Sequence, residues 1–206
     1  MIHAYNEQFL PVIKNKLAQM FELAVNVENI EIDTFADLFV SSRVCRAFEK
    51  ADPVLVMGKS ANELLALILD KEPVNAIIGD EASPEYWAGW VLACAQWYFN
   101  TTYRELISAL PCSKLVENYF PYHEMDITQS LDLYAGRLPR KSALKELRRK
   151  HGLSQTELAL LSGVPERTIR SYEQGTNDIS KAQAETLYAL SQVLGCTIED
   201  LITSIR

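Results

Sequence analysis

The residues with the clearest chemical capacity are six polar side chains between positions 166 and 174. They offer two guanidinium groups, hydroxyls, an amide and a carboxylate, and they are Glu166, Arg167, Thr168, Arg170, Ser171 and Gln174. Such groups can hydrogen-bond to base edges in the major groove of DNA and can contact phosphates. They are also typical of the solvated face of an ordinary helical hairpin. Which interpretation applies depends on the helices that position these side chains.

A first short helix is predicted to begin at Gln155 and to stop at Gly163. Ser154 is a favourable N-cap, and Glu157 completes a capping box with it. Gly163 suits the turn because glycine adopts a positive φ without steric cost. The inner face of this helix is expected to carry apolar or small side chains, namely Leu158, Ala159 and Leu161.

A second short helix is predicted to begin at Pro165 and to end at Gly175, with Gln174 as its last residue. Val164 in the turn is expected to enter the core, and Ile169 and Tyr172 are expected to face inward. The six polar residues named above are then left on the outer face. This arrangement favours a helix-turn-helix over an ordinary hairpin.

The segment from Leu144 to Ile202, LKELRRKHGLSQTELALLSGVPERTIRSYEQGTNDISKAQAETLYALSQVLGCTIEDLI, resembles the DNA-binding domain shared by lambda repressor and Cro, the XRE family. The resemblance implies five helices and DNA binding. It further implies that Gln155 and Thr168 contact phosphates, while Glu166, Arg167 and Ser171 lie nearest the bases.

The resemblance also implies that Arg148 and Glu173 pair between the first and third helices of this domain. Pro165 and Glu166 depart from the family pattern, because polar residues, often glutamine, are common at these positions. A carboxylate at position 166 can accept a hydrogen bond from cytosine but repels phosphate. The departure concerns the base preference and leaves the type of domain unchanged.

The composition of the 206 residues, 48% apolar and 23% charged, predicts a folded protein with room for two modest domains. No apolar run has the length of a membrane span and no secretory leader is recognised, so we expect a cytoplasmic protein. The cysteines show no C-x-x-C pair, which favours buried free thiols over a zinc site or a disulfide framework; they are Cys45, Cys94, Cys112 and Cys196.

Charge is distributed unevenly along the chain. Residues 137–206 contain 11 Lys and Arg against 8 Asp and Glu, a net charge of +3, whereas residues 1–136 contain 9 against 19, a net charge of −10. A basic domain joined to an acidic one is typical of a DNA-binding domain with a partner-binding domain. The alternative is that the surface acids only keep the larger domain soluble.

The first 136 residues are predicted to be entirely helical, since no alternating strand pattern of useful length occurs. One helix is expected within residues 3–26, interrupted early by Pro11, and a second from Asp33 to just before Pro53. Further N-caps are predicted at Ser60, Ser83, Thr102, Ser113 and Asp126. In the C-terminal region, a helix is predicted over 179–194 and a capped last helix after Thr197.

The segment PVLVMGKS, Pro53 to Ser60, ends like a phosphate-binding P-loop. The pattern G-x-x-x-x-G-K-[ST] requires glycine at the position of Pro53, which has no amide to offer a phosphate. Ser60 with Glu63 is better interpreted as a capping box. Nucleotide binding is therefore not expected here.

An aromatic helix is predicted after Ser83, with Pro84 in its first turn and an apolar stripe that includes Trp90, Cys94 and Trp97. Aromatic residues at helical spacing favour a core helix, and we expect this one at the centre of the N-terminal domain. The alternative is that the residues around Trp87 to Phe99 line a pocket for a small apolar ligand.

No catalytic motif is recognised. The three histidines, His3, His123 and His151, belong to no H-E-x-x-H sequence, and neither G-x-S-x-G nor a glycine-rich dinucleotide turn occurs. His123 beside Glu124 is expected to be structural. We predict that the protein is not an enzyme and has no catalytic residues, metal site or cofactor.

The sequence thus predicts an all-α protein with a partner or effector domain at 1–136 and a helix-turn-helix domain at 137–206, separated near Gly136 to Pro139. The expected function is transcriptional regulation, with activation or repression left open, and the expected partner is a double-stranded DNA operator bound as a homodimer. An antitoxin is the alternative: its acidic domain would neutralise a basic toxin while the helix-turn-helix controls the operon.

Overall fold

The computed structural model describes residues 3–73, 76, 83–138 and 142–202. Every regular element in these residues is a helix, which confirms the all-α prediction. The chain divides into two compact units: residues 3–138, and a C-terminal unit whose described residues are 142–202. Pro139, part of the predicted boundary, lies outside the described residues. None of the described helices has both the length and the apolar character needed to cross a bilayer.

The described part of the N-terminal unit consists of helices, most of which are separated by only a few residues. Short 3-10 turns lie at Glu7–Phe9 and Asp132–Tyr134, and a π-helical turn, Leu23–Val27, follows the first helix. The helices are α1 (Leu10–Glu22), α2 (Ile32–Ser41), α3 (Arg43–Glu49), α4 (Pro53–Val56), α5 (Ala61–Leu69), α6 (Pro84–Phe99), α7 (Tyr103–Ala109), α8 (Cys112–Glu117), α9 (Tyr119–Tyr122) and α10 (Ile127–Leu131).

Helix α6 packs along α1 at the centre of this unit. It buries ten of its 16 residues, including Trp87, Cys94 and Phe99. Gly89 allows the close approach, because a Cβ atom there would lie 2.9 Å from both the Ala18 Cα and the Leu17 carbonyl oxygen. The aromatic helix is therefore a core element.

The partly buried tryptophans of α6 also contact other parts of the same unit. The Trp97 indole donates a hydrogen bond to the Tyr5 carbonyl at 2.9 Å and stacks on His3, with ring centroids 3.7 Å apart. The Lys14 ammonium lies 4.8 Å from the centroid of the Trp90 ring. These rings are used in packing, so the structure offers no support for the apolar ligand pocket.

Most of the predicted N-caps are present. The Ser60 hydroxyl accepts from the Glu63 amide at 3.3 Å, and Glu63 accepts in return from the Ser60 amide at 2.8 Å. Thr102 forms the same box with Glu105, and Ser83 and Asp126 accept hydrogen bonds from the first turns of α6 and α10. Pro11 lies in the first turn of α1 and does not interrupt it.

Two predictions about this unit are wrong. The single helix expected between Asp33 and Pro53 is two helices, because Ser42 is extended and its hydroxyl caps α3 by accepting from the Cys45 amide. Ser113 is not an N-cap but lies within α8. Its amide instead donates to the Asp33 carboxylate at 2.9 Å, a long-range contact that no local pattern indicates.

The C-terminal unit contains α11 (Ala143–Lys150), α12 (Gln155–Ser162), α13 (Glu166–Glu173), α14 (Ala184–Leu194) and α15 (Ile198–Ile202). The five helices expected from the family resemblance are all present. The helix predicted over 179–194 is wrong in its first part: Ile179–Lys181 is a 3-10 turn, and the extended Gln183 separates it from α14. Thr197 and Asp200 form the predicted cap of α15.

Candidate nucleic-acid interface

Helices α12 and α13 form a helix-turn-helix whose ends are set by local hydrogen bonds. The Ser154 hydroxyl accepts from the Glu157 amide at 3.1 Å, and the Glu157 carboxylate accepts from the Ser154 amide at 2.7 Å. Gly163 ends α12 with φ at 71°. Pro165 is the N-cap of α13 with an extended ψ of 135°, so the helix begins one residue later than predicted.

A small apolar core holds the two helices together. Its buried members among the described residues are Leu144, Leu147, Leu158, Val164, Ile169, Leu190, Leu194 and Leu201. Leu158, Val164 and Ile169 occupy the inward positions that the sequence predicted, and Tyr172 is partly buried against them. Leu161 does not: its side chain is 60% exposed, because the turn brings Val164 into the core instead.

A buried ion pair connects α11 to the end of α13. Arg148 donates from Nε to Glu173 Oε1 at 2.6 Å and from Nη2 to Glu173 Oε2 at 2.9 Å. Arg148 Nη1 also donates to the Leu153 carbonyl at 2.6 Å. This is the bidentate geometry in which a guanidinium binds a carboxylate most specifically. The pair fixes the first helix of the unit against α13.

The environment of Glu173 favours its charged form. Burial alone would raise the pKa of this carboxyl, but hydrogen bonds from Arg148 and Gln155, together with the charge of Arg148, hold the pKa below its usual value. The hydrogen bond to Glu173 likewise raises the pKa of Arg148. Both partners are therefore ionised near neutral pH.

Gln155 extends this network from the interior to the outer surface. Its amide nitrogen donates to Glu173 Oε2 at 2.8 Å, and its amide oxygen accepts from Arg170 Nε at 3.4 Å. Arg170 Nη2 donates to Glu166 Oε1 at 2.5 Å, and the Thr156 hydroxyl donates to the same carboxylate at 3.0 Å. One polar chain thus contains Thr156 and five of the predicted site and pair residues, namely Arg148, Gln155, Glu166, Arg170 and Glu173.

The polar side chains on the outer face of α13 differ in whether they are already engaged by another residue. Arg167 is exposed and forms no side-chain hydrogen bond or ion pair within the described part of the chain. Arg170 is exposed but paired with Glu166. Thr168 and Ser171 are partly buried, the Ser171 hydroxyl donating to the Thr168 carbonyl at 2.8 Å, and Gln174 is exposed. Arg167 is the cation that can bind a ligand without first breaking a contact.

Two residues that sequence inspection missed complete this surface. Thr156 anchors Glu166, as described above, and Asn177 donates to the Ser171 hydroxyl at 3.1 Å. The sequence indicates only that Thr156 lies near the start of a helix and that Asn177 is of a residue type common in turns. Neither property indicates which residue it contacts.

The basic run at the end of α11 divides into buried and exposed members. Arg149 and Lys150 are exposed, whereas Arg148 is 8% exposed and committed to Glu173. Its burial in the ion pair keeps Arg148 from contacting a phosphate. Arg149 and Lys150 remain available for long-range attraction of an anion.

Comparison with known proteins bears on the C-terminal unit alone. The family model described as Helix-turn-helix matches residues 144–201, less than a third of the chain. This C-terminal segment is a helix-turn-helix domain of the XRE and lambda-repressor type, as the resemblance in sequence predicted. No curated protein and no solved structure matches the chain. The N-terminal unit therefore has to be interpreted from its own residues.

Proposed function

We propose that the protein is a sequence-specific transcription regulator that places α13 in the major groove of its operator. The observation that carries this proposal is the exposed Arg167, which forms no ion pair with any described residue, on a helix whose position is fixed by the Arg148–Glu173 pair. A guanidinium on a rigid helix is suited to the O6 and N7 atoms of guanine. Ser171 lies beside Arg167 on the same helix and belongs to the proposed base-facing surface, whereas Thr168 is proposed to contact a phosphate.

Gln155 and Arg170 are proposed to bind phosphates as a unit. Their mutual hydrogen bond holds them at the junction of α12 and α13, and Glu173 fixes the Gln155 amide from behind. Glu166 has two roles in this proposal: it orients Arg170, and its carboxylate can accept from the amino group of cytosine. The proposed DNA contacts also include the exposed Gln174 at the end of α13.

We further propose a homodimer on DNA. One helix-turn-helix covers half a site, and paired domains of this kind contact half-sites about one helical turn, ~34 Å, apart. Light scattering with and without DNA tests this part of the proposal. A chain that stays monomeric at micromolar concentration in both states contradicts it.

The acidic N-terminal unit is proposed to bind a partner or effector. Its charge favours a basic protein, since opposite charge increases encounter rates and selects partners. The antitoxin alternative depends on this charge alone, and it stays a prediction. Capture of a basic protein by the full chain at low salt, with release at high salt, is the result expected for a protein partner.

The DNA proposal is tested by selecting an operator from a random duplex pool with the full chain and measuring affinity by fluorescence anisotropy. Arg167→Ala should lose about 1 to 3 kcal/mol of preference for the selected operator over random DNA. The control Arg43→Ala removes the same charge from the N-terminal unit and should leave that preference unchanged. Equal losses on operator and random DNA would show that Arg167 contacts only phosphate.

A further inference from the structure

A cleft of about 450 Å³ opens in the N-terminal unit beside the junction of α2 and α3 and the start of α7. This volume is within the range of about 300 to 1,000 Å³ found for small-molecule sites. Its lining includes the hydroxyl groups of Ser41, Ser42 and Thr102. The cleft belongs to neither the helix-turn-helix nor the aromatic α6 helix.

Two arginines from different helices lie in this cleft. Arg46 projects from α3 and Arg104 from α7, and both are exposed. Within the described part of the chain neither forms an ion pair, and Arg104 makes one hydrogen bond, from Nη2 to the Val40 carbonyl at 3.4 Å. Both guanidinium groups therefore remain available to an anion.

The charges of Arg46 and Arg104 both influence Cys45, whose thiol lies in the cleft wall. Burial is the main reason that the pKa of this thiol rises to about 12, and Glu49 adds to the increase. The charges of Arg104 and Arg46 oppose it. Both arginines therefore lie close enough to this thiol in the cleft wall to influence its pKa.

The one carboxylate in the cleft wall is turned toward the protein. Glu49 Oε1 accepts from the Tyr103 amide at 3.0 Å and lies 3.8 Å from the Cys45 sulfur. It caps α7 and forms no ion pair with either arginine in the described residues. Two cations against one engaged carboxylate leave the cleft positive, within a domain whose residues 1–136 carry a net charge of −10.

Thr102 adds a hydrogen-bond donor at the edge of the cleft. Its hydroxyl oxygen accepts from the Glu105 amide at 3.2 Å, and no described acceptor takes its proton. A hydroxyl donor beside two guanidinium groups is suited to the several oxygens of one oxyanion. The net charge of −10 on residues 1–136 would repel large polyanions, which favours a small ligand.

We propose that this cleft binds a small soluble ligand through an oxyanionic group, phosphate or carboxylate, held between Arg46 and Arg104 with Thr102 as an additional donor. This inference rests on one part of the proposed function, the partner or effector role of the N-terminal unit, and it gives the chemical class of a small effector. Binding at the cleft involves neither DNA nor the helix-turn-helix, so its failure would leave the DNA-binding proposal intact.

The test is isothermal titration calorimetry of the full chain with inorganic pyrophosphate and, separately, with citrate, at constant ionic strength. Binding by either probe, weakened about tenfold or more by both Arg46→Gln and Arg104→Gln, supports the proposal, because each variant removes a charged hydrogen-bond donor. The stronger of the two probes identifies the oxyanion as phosphate or carboxylate. Arg104→Lys, which keeps the charge but loses the planar fork, should give an intermediate affinity.

Arg43→Gln is the matched control. It removes the same charge from the same helix, α3, but Arg43 does not line the cleft. Circular dichroism of each variant checks that the helices are intact. Absence of binding by both probes at millimolar concentration overturns the proposal, as does a loss in Arg43→Gln equal to that in Arg46→Gln, since the latter would indicate unspecific attraction.

Discussion

The two units of this chain are stabilised in different ways. The C-terminal unit has a small apolar core, supplemented by the buried Arg148–Glu173 pair. The N-terminal unit has an extensive aromatic and aliphatic core around α1 and α6, in which Phe21, Phe35 and Phe39 meet edge to face. A small domain buries a smaller fraction of its surface, so it depends more on caps and specific polar contacts. We therefore expect the C-terminal unit to be destabilised most by loss of its buried ion pair, and the N-terminal unit by changes in core packing.

Glu173→Ala should have the largest effect and should affect the C-terminal unit alone. It leaves the Arg148 guanidinium buried without its partner, which costs about 3 to 5 kcal/mol in a buried pair. Hydrogen exchange with mass spectrometry on the full chain, across a urea series, measures each unit separately. The double variant Arg148→Met with Glu173→Leu should recover most of the loss. Unchanged exchange in α11 and α13 would contradict the role of the pair.

Gly89→Ala is the corresponding test of the N-terminal unit. The added Cβ would approach backbone atoms of Ala18 and Leu17 at 2.9 Å, so α1 and α6 must separate. Overpacking of this kind costs about 1 to 3 kcal/mol, and faster exchange is expected in α1 and α6. Gly152→Ala is the matched change in the other unit, where nothing lies within 4 Å but φ is +68°. If Gly89→Ala destabilised the C-terminal unit more than the N-terminal unit, the role given to Gly89 in the α1–α6 packing would be wrong.

Acid should weaken the C-terminal unit through Glu173. Its pKa in the folded protein is lower than the ordinary 4.5, so the pair contributes fully above about pH 4.5 and is lost as the pH falls through the folded pKa. We expect the stability of α11 and α13 to decrease as the pH falls below about 4.5, and the same exchange experiment measures this loss. The Arg148→Met and Glu173→Leu double variant should lose less stability over this range. Identical acid profiles would show that the capping carboxylates dominate.

Glu166→Gln should produce the smallest effect, and on DNA binding instead of folding. It removes the negative charge that offsets Arg170, so this part of α13 presents one more net positive charge to the DNA phosphates. Affinity for random DNA should increase, and the log-log salt slope should steepen by roughly 0.9. Glu124→Gln makes the same charge change on an exposed residue of the N-terminal unit and should leave the slope unchanged. A shallower slope in Glu166→Gln would mean that Arg170 is not a phosphate contact.

Local signals in the sequence predicted much of the helix-turn-helix and several helix starts elsewhere. The capping boxes at Ser60, Thr102 and Ser154 could be recognised because both partners lie within one turn of helix. Gly163 could be placed because a positive φ is a property of the residue itself. These features need no knowledge of the rest of the fold.

Features that depend on distant partners could not be predicted in this way. Leu161 is apolar and has the local spacing of a core residue, yet it is exposed next to the turn at Gly163. The Ser113 amide is bound by Asp33, which is remote in sequence. The cleft between Arg46 and Arg104 likewise has no sequence pattern, because its two arginines come from separate helices.

The sequence alone determined where helices begin and stop at strong caps, which unit carries the basic charge, and which family the C-terminal segment resembles. Each of these follows from residue type and from spacing within a few positions. The tertiary structure decided that Arg148 is buried, while Arg167 is exposed and forms no ion pair within the described residues. It also decided that Gln155 joins the buried pair to the outer surface and that two exposed arginines share a cleft in an acidic domain. These features arise from packing between helices, where burial and the choice of hydrogen-bond partner are set by residues far apart in the chain.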